Sequence, residues 1–235
     1  LPFLCEDRTQ AERLVNSAFA REISMDSLKS GATILGIGDA GGFRQFSNSV
    51  RMIRRPEDLR GLKMRSNGMD TINKTLEALG AEVMTVPYND LYMALKAGTI
   101  DGQENPWVNS SGMRFYEVQK YFTEVNYQFH PEPFYVNTRW YESLPREYQE
   151  ILEECTQEMM KENNRLIDEN EVQAMENIRA NAEIYTLSSE ERQAFVEATQ
   201  VVYEEYMENG LLTRDELARM KRIIRGEEER EYPYR

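Results

Sequence analysis

Residues 62–105 have the sequence LKMRSNGMDTINKTLEALGAEVMTVPYNDLYMALKAGTIDGQEN, and this stretch decides the fold class. Short apolar segments that predict strands alternate in it with segments that carry apolar residues at helical spacing: strands at 62–65, 81–86 and 99–103, helices at 70–79 and 89–97. Gly80 and Gly98 are natural C-terminal stops for the two helices. Because strands that alternate with helices of about ten residues are typical of βαβ units, we predict an α/β fold.

The chain before this stretch continues the alternation. Apolar positions at helical spacing predict one helix over residues 8–30, and the apolar run 32–37 predicts a buried strand. The glycines between Gly36 and Gly42 predict a turn after that strand. They do not predict a phosphate-binding loop, because neither GK[ST] nor the GxGxxG spacing is present.

The chain after this stretch is mainly helical. Residues 112–120 predict a short helix, and the pattern from 145 to about 181 is nearly continuous helix. Two further helices are predicted at 189–208 and 213–224, the first of them capped by a serine before a pair of glutamates. A helix as long as 145–181 predicts a strut that runs across two lobes.

Composition and charge exclude several classes of function. The 235 residues are 40% hydrophobic and 29% charged, which is typical of a soluble globular protein. No apolar run is long enough to cross a bilayer, so direct membrane insertion of this chain is not expected. The net charge of −13 argues against a nucleic-acid partner, although an acidic protein can still bind an anion where a few arginines are concentrated.

The counts of histidine and cysteine argue against an enzyme. His130 is the only histidine, so the chain has no pair of imidazole metal ligands, and a catalytic triad would depend on this one residue. Cys5 and Cys155 form no CxxC motif, although a long-range disulfide between them stays open. We therefore predict no enzymatic activity, no metal and no cofactor.

Three polar or aromatic side chains lie at the ends of predicted strands. Arg65 ends the strand at 62–65, Tyr88 follows the strand at 81–86, and Asn105 follows the strand at 99–103. In open α/β sheets, ligands bind where the carboxyl ends of strands converge. An arginine binds a carboxylate with two parallel hydrogen bonds, an asparagine amide donates to the same oxygens, and an aromatic ring walls the ligand. This combination suits binding of a carboxylate.

Several motifs, in order along the chain, resemble the solute-binding proteins of TRAP transporters, the DctP family. They are PEDLRGLKMR at 56–65, ALGA at 78–81, PY at 87–88, YMALKAG at 92–98, DGQENP at 101–106 and FYEVQKY at 115–121. The resemblance extends from residue 1 to about residue 210. It implies a binding protein that captures a small carboxylate, not an enzyme.

The resemblance also implies specific ligand contacts. The carboxylate-binding arginine of the family corresponds to Arg65, and its asparagine partner corresponds to Asn105. The further predicted ligand-contacting residues are a second arginine, a pocket aromatic and two positions that depart from the commoner family pattern: Arg44, Tyr88, Asn67 and Trp107. Glu104 is expected to brace its loop rather than to act as a catalytic acid.

The architecture that the resemblance implies is a two-lobe, periplasmic-binding-protein-like fold of type II that closes around its ligand. We predict a partial lobe I from residues 1–41 and 130–170, and a lobe II from residues 42–129 and 171–235. Family members carry a further N-terminal portion, so lobe I is expected to be incomplete. The expected location is the periplasm or the outer face of a bacterial cell membrane, and the expected partners are the membrane subunits of a TRAP transporter.

The sequence determines the class of ligand less closely than it determines the family. Arg44, Asn67 and Asn105 offer hydrogen bonds beyond one carboxylate, which favours sugar acids such as hexuronates or aldonates. C4-dicarboxylates come second, and aromatic or keto acids stay open. The alternative function is a ligand-sensing or protein-interaction module on the same fold, because the long acidic helices at 145–208 are suited to an interface.

Overall fold

The computed structural model describes residues 1–227 and contains helices, strands and short 3₁₀ turns. The helices are α1 Arg8–Val15, α2 Ala18–Met25, α3 Asp70–Ala78, α4 Tyr88–Ala97, α5 Trp107–Gly112, α6 Thr138–Ser143, α7 Arg146–Arg179, α8 Ser189–Ala198, α9 Gln200–Glu208 and α10 Arg214–Arg225. The strands are β1 Ala32–Asn48, β2 Lys63–Ser66, β3 Glu82–Thr85, β4 Gly102–Pro106, β5 Tyr121–Asn137 and β6 Glu183–Thr186. No described helix is both long enough and apolar enough to span a bilayer.

The strands form one mixed sheet in the order β3-β2-β4-β1-β5-β6. β2 pairs in parallel with β3 and with β4, and β5 pairs in parallel with β6, whereas β1 and β4 are antiparallel. The stretch from β2 to β4 is therefore two consecutive βαβ units, which confirms the predicted α/β fold. Gly98 adopts a left-handed conformation (φ 68°) that ends α4, as expected for a helix C-terminal glycine.

Two predicted helices are each divided in the structure. The region 8–30 forms α1, α2 and a 3₁₀ turn, because the Ser17 side chain accepts a hydrogen bond from the Ala20 amide and starts a new helix. The region 189–208 forms α8 and α9, which meet at Thr199. The Thr199 hydroxyl donates to the carbonyl oxygen of Phe195 at 2.9 Å, a back-bond typical of a helix bend.

The predicted glycine turn after residue 36 is wrong, because β1 continues through all of these glycines to Asn48. Gly41 and Gly42 have positive φ values of 129° and 92°, so they bend the strand without ending it. Asp39 stabilises the bend, because its Oδ1 accepts hydrogen bonds from both glycine amides. The helix predicted at 112–120 is also wrong, since α5 ends at Gly112 and only a 3₁₀ turn follows.

The chain divides into two compact units. Unit 1 contains Leu1–Leu4, Phe43–Gln128 and Asn170–Arg214, and unit 2 contains Cys5–Gly42, Phe129–Glu169 and the described chain from Asp215 to residue 227. The predicted division into a lobe I at 1–41 and 130–170 and a lobe II at 42–129 and 171–235 stays a prediction, and residues 228–235 lie outside the described part. The 34-residue helix α7 confirms the predicted long helix.

The hydrophobic core of unit 1 has two clusters of buried side chains. The first, which includes Phe46, Met64 and Tyr127, packs β1, β2 and β5 together, and Phe46 stacks on Tyr127 with 5.1 Å between ring centroids. The second includes Leu91, Leu95 and the side chains of α5 and β5. Together the two clusters hold the ends of β1, β2 and β4 in fixed positions, and these ends carry the predicted ligand-binding residues.

Candidate functional site

The strand register in unit 1 places the predicted site residues side by side. Arg65 of β2 pairs with Gln103 of β4, and Arg44 of β1 lies opposite Pro106 at the end of β4. The adjacent antiparallel pair aligns Gln45 with Asn105. Arg44, Arg65, Glu104, Asn105 and Tyr127 are all buried, and we call these five residues the Arg65 cluster.

Arg44 and Glu104 form a buried ion pair within the Arg65 cluster. The Arg44 Nη2 atom donates to Glu104 Oε1 at 2.8 Å and to the Glu104 carbonyl oxygen at 3.0 Å, while Nε donates to Oε2. The Tyr127 hydroxyl donates to the same carboxylate. Burial opposes the charge on Arg44, but the Glu104 carboxylate raises the pKa of the Arg44 guanidinium above its usual value. Glu104 therefore braces the site, because its carboxylate fixes the Arg44 side chain and compensates its charge.

Arg65 is bound differently from Arg44. It is only 2% exposed, its Nε donates to the Val86 carbonyl oxygen at 2.8 Å, and its guanidinium carbon lies 5.9 Å from the centre of the Tyr88 ring. Within residues 1–227, no carboxylate forms an ion pair with Arg65. Burial lowers the pKa of Arg65; the Glu104 carboxylate nearby opposes this shift, and the Arg44 charge adds to it. An arginine stays protonated at neutral pH even so, and a buried cation without a direct counter-ion is a site for an anion.

Asn105 is oriented by a chain of buried hydrogen bonds. Its Oδ1 accepts from Arg44 Nη2 at 3.3 Å, and its Nδ2 donates to Gln103 Oε1 at 2.6 Å. The Gln103 amide donates in turn to the Ser47 hydroxyl at 2.7 Å and to the Ser110 hydroxyl at 3.4 Å. The sequence did not lead us to assign a role to Gln103 or Ser47. Gln103 lies within the DGQENP motif, so the motif could have indicated it. No sequence pattern indicates Ser47.

Tyr88 begins α4 and is half-buried. Its hydroxyl lies 3.5 Å from the Asn109 carbonyl oxygen, and its ring makes an edge contact with Phe115 at 6.3 Å between centroids. Burial raises the pKa of the phenol, which the positive charges of Arg65 and Arg44 partly oppose. The ring therefore lies next to Arg65 in its neutral form at pH 7.

Asn67 and Trp107 make their hydrogen-bond and ring contacts with residues outside the Arg65 cluster. Asn67 is exposed in the turn after β2, and its Oδ1 accepts a hydrogen bond from the Met69 amide at 3.0 Å. Trp107 is 1% exposed, belongs to the second core cluster and stacks on Phe122 with 6.2 Å between centroids. In the described chain neither side chain has a hydrogen bond to the cluster. Their assignment as ligand contacts stays a prediction without support from this geometry.

Within the part of the chain that the structure describes, the cysteines and acidic side chains outside the cluster form neither a disulfide nor a metal site. Cys5 is a buried free thiol and Cys155 is an exposed free thiol, so the long-range disulfide that the sequence left open is not formed. Among the described residues, no group of three or more His, Cys, Asp or Glu side chains is arranged to hold a metal ion. The hydroxyl of Tyr127 lies next to the Glu104 carboxylate, but it is fully buried and its pKa is raised, so it is not an activated nucleophile. Arg65, which has no ion-pair partner among the described residues, is suited to contact an anion.

Comparison with known proteins identifies the class. Residues 1–209 match the family described as bacterial extracellular solute-binding protein, family 7, or DctP, and the chain belongs to this family. The members of this family are solute-binding proteins and not enzymes, in agreement with the sequence-based expectation for this chain. Membership also agrees with the mixed α/β fold of unit 1.

Individual relatives bind different small acids. The C4-dicarboxylate-binding periplasmic protein DctP of Vibrio cholerae is 30% identical over 210 residues, which are 88% of this chain and 62% of that protein. A TRAP periplasmic solute-binding protein of Ralstonia eutropha with bound (S)-2-acetolactate is 30% identical, with a TM-score of 0.90 over 96% of this chain and 73% of that one. A Sulfitobacter relative with bound β-D-galacturonate is 26% identical, with a TM-score of 0.86 over 96% of this chain and 73% of that one.

Proposed function

We propose that this chain is the ligand-binding part of an extracytoplasmic receptor that captures a small organic acid and delivers it to the membrane subunits of a TRAP-type transporter. One observation carries the proposal: Arg65 is 2% exposed, and no carboxylate within residues 1–227 forms an ion pair with it. The ligand carboxylate would supply the missing counter-ion, with Asn105 next to it as a hydrogen-bond donor. The periplasmic location of the relatives supports the extracytoplasmic assignment.

The charges of the Arg65 cluster favour a ligand with one carboxylate. Two arginines and the single carboxylate of Glu104 leave one positive charge without a partner in the cluster. A monocarboxylate balances this charge, whereas the second carboxylate of a C4-dicarboxylate would need another cation. Sugar acids such as hexuronates carry one carboxylate and several hydroxyls, and the bound galacturonate of the Sulfitobacter relative supports this class.

Isothermal titration calorimetry tests both parts of the proposal. The protein is titrated with galacturonate, galactonate, succinate and acetolactate. Arg65→Ala removes at least two charge-assisted hydrogen bonds of about 1.5–3 kcal/mol each, so the Kd should rise at least about 100-fold. Arg65→Lys keeps the charge but loses the bidentate geometry, and the Kd should rise at least about tenfold.

Arg60→Lys is the matched control, because Arg60 is an exposed arginine just before β2 and its replacement should leave the Kd unchanged. Unchanged affinity in Arg65→Lys would refute the assignment of Arg65 as the carboxylate-binding residue. Tighter binding of succinate than of either sugar acid would refute the preference for a monocarboxylate and leave the receptor role intact.

A further inference from the structure

A continuous chain of hydrogen bonds runs through the interior of unit 1 and ends at Asn105. Its members are all buried, and we call these four residues the amide chain: Gln119, Ser47, Gln103 and Asn105. The Ser47 hydroxyl donates to Gln119 Oε1 at 3.3 Å and accepts from Gln103 Nε2 at 2.7 Å. Gln103 Oε1 accepts in turn from Asn105 Nδ2 at 2.6 Å. Each bond therefore points the same way, from Asn105 toward Gln119.

The end of the amide chain at Gln119 fixes this direction. Gln119 Nε2 donates to the carbonyl oxygens of Val118 at 3.0 Å and Asp101 at 3.3 Å. Because a carbonyl oxygen can only accept, the amide nitrogen has to face these two atoms, and Oε1 has to face Ser47. The Ser47 hydroxyl can rotate to donate in several directions, but here its proton lies toward Gln119 and a lone pair is left for Gln103.

The end at Asn105 fixes the same direction independently. The guanidinium of Arg44 has donors only, and its Nη2 atom lies 3.3 Å from Asn105 Oδ1. A reversed Asn105 amide would place its nitrogen against this donor and its oxygen against Gln103 Oε1. Both contacts would then be repulsive, and buried polar groups without partners cost free energy. The two ends of the amide chain thus require one and the same orientation of its three amides.

This orientation determines what Asn105 can offer to a ligand. An amide nitrogen carries two protons, and Gln103 accepts one of those of Asn105. Among the hydrogen bonds within residues 1–227, no other oxygen accepts from Asn105 Nδ2. Arg65 lies opposite Gln103 in the strand register, two positions along β4 from Asn105. A donor is therefore kept on the strand next to the one that carries Arg65.

We propose that Gln103 and Gln119 are positioning residues, which act through the amide chain to hold Asn105 with one amide proton available for an acceptor oxygen of the bound acid. This inference rests on the proposed function, because it requires an acid next to Asn105. The last torsion angle of an asparagine is broad, and the contact with Arg44 is long, so the 2.6 Å bond to Gln103 contributes most to the orientation. The site then favours an ionised carboxylate over an amide or ammonium group, which would bring a second donor.

A double-mutant cycle separates positioning from stabilisation of the fold. Gln103→Met keeps a side chain of similar length but removes the acceptor for Asn105. Calorimetric titration uses galacturonate, galactonate, succinate and acetolactate. For an acid that binds, Gln103→Met should raise the Kd about three- to tenfold, the effect of one misoriented hydrogen bond. In an Asn105→Ala background the same substitution should change the Kd by less than about twofold, because the residue through which it acts is gone.

Thr123→Val is the matched control for the loss of a buried polar group. The Thr123 hydroxyl is 1% exposed and donates to the Ile53 carbonyl oxygen at 2.8 Å, outside the amide chain. This variant should be less stable in urea but should bind the acid with the Kd of the wild type. A wild-type Kd in Gln103→Met overturns the proposal, as does an equal rise in Kd with and without Asn105.

Gln103→Glu provides a second test that does not depend on the folding of Gln103→Met. A protonated glutamic acid can donate to Ser47 and accept from Asn105 as the glutamine does, and burial raises the pKa of a carboxyl group. The Kd of this variant should lie within about twofold of the wild type at pH 5 and rise toward pH 8 as the carboxyl group ionises. A Kd that is raised equally at both pH values overturns the positioning role.

The Arg65→Lys variant distinguishes failure of this inference from failure of the proposed function. If Arg65→Lys weakens binding and Gln103→Met does not, the positioning role is refuted and the receptor role stands. If the wild type binds none of the four acids, the proposed function is refuted and the positioning role with it.

Discussion

The Nη2 atom of Arg44 lies 2.8 Å from Oε1 of Glu104, and both side chains are shielded from solvent. The two residues are 60 positions apart and meet because β1 and β4 are antiparallel neighbours. The resemblance to the DctP family implied that Arg44 contacts the ligand. In the structure its charge is compensated by Glu104, whereas Arg65 has no such partner among the described residues. The two arginines of the Arg65 cluster therefore differ in their contacts within the protein, and the ligand contact predicted for each of them stays a prediction.

Replacement of Glu104 should destabilise the fold. Glu104→Gln leaves the buried Arg44 cation without its carboxylate and removes an acceptor from the Tyr127 hydroxyl. Breaking one partner of a buried ion pair costs about 3–5 kcal/mol in the free energy of unfolding. Urea unfolding followed by circular dichroism measures this. The control is Glu22→Gln, because Glu22 pairs with Arg219 at the surface and its loss should change little. A similar stability for the two variants would contradict the structural role of Glu104.

Gly102 should tolerate no side chain, because β4 approaches its neighbours closely there. A Cβ atom at Gly102 would lie 2.3 Å from the Ser47 carbonyl oxygen and 2.7 Å from the Met64 sulfur. Gly102→Ala should lower the free energy of unfolding by about 1–3 kcal/mol, as expected for overpacking, and the midpoint of urea unfolding measures it. Gly112→Ala is the control: nothing lies within 4 Å of its Cβ position, so stability should be unchanged or slightly higher. Equal midpoints for the two variants would show that β4 can move away from β1.

The local parts of the fold were predictable, and the parts that depend on strand pairing were not. Gly80 and Gly98 delimit α3 and α4, so the βαβ units follow from residues near in sequence. The course of β1 through Gly41 and Gly42 does not, because hydrogen bonds to Asp39 stabilise a bend within the strand at a place where glycines normally indicate a turn.

The same distinction holds for the Arg65 cluster. Arg65 and Asn105 lie in recognisable motifs at strand ends, which is why the sequence indicates them. The Arg44–Glu104 pair depends on the register of two strands distant along the chain, and no local pattern reports that register. Trp107 follows the DGQENP motif directly, but its position in the core is set by packing against Phe122.

The two cysteines should differ strongly in reactivity. Burial raises the pKa of the Cys5 thiol to about 11, whereas Cys155 is exposed on α7. Because the thiolate is the reactive form, a disulfide reagent at pH 8 should titrate one thiol per chain rapidly and the second only after unfolding. The control is Cys155→Ser, which should show no rapid phase. Rapid reaction of both thiols in the folded protein would contradict the burial of Cys5.

Tyr127 should make the stability of the protein fall at high pH. Burial, reinforced by the Glu104 carboxylate, raises the pKa of Tyr127 well above the value of 10.0 for an exposed tyrosine. Between those two pKa values the unfolded chain has lost the proton and the folded protein keeps it. The stabilising contribution is therefore complete below pH 10 and is lost as the pH rises further, at about 1.4 kcal/mol per pH unit.

Tyr127→Phe isolates this contribution. The free energy of unfolding of the variant should be lower at pH 8, because Glu104 loses a donor, but its decline above pH 10 should be shallower than that of the wild type. Tyr135→Phe, at a position that is 64% exposed, is the control for the loss of a phenol and should leave the decline as in the wild type. Urea unfolding at pH 8, 10 and 11 gives the dependence of the free energy of unfolding on pH for the wild type, Tyr127→Phe and Tyr135→Phe. If the free energy of unfolding declined equally for Tyr127→Phe and the wild type, the phenol of Tyr127 would ionise at the same pH in the folded and unfolded protein. That result would contradict the buried hydrogen bond from the Tyr127 hydroxyl to the Glu104 carboxylate.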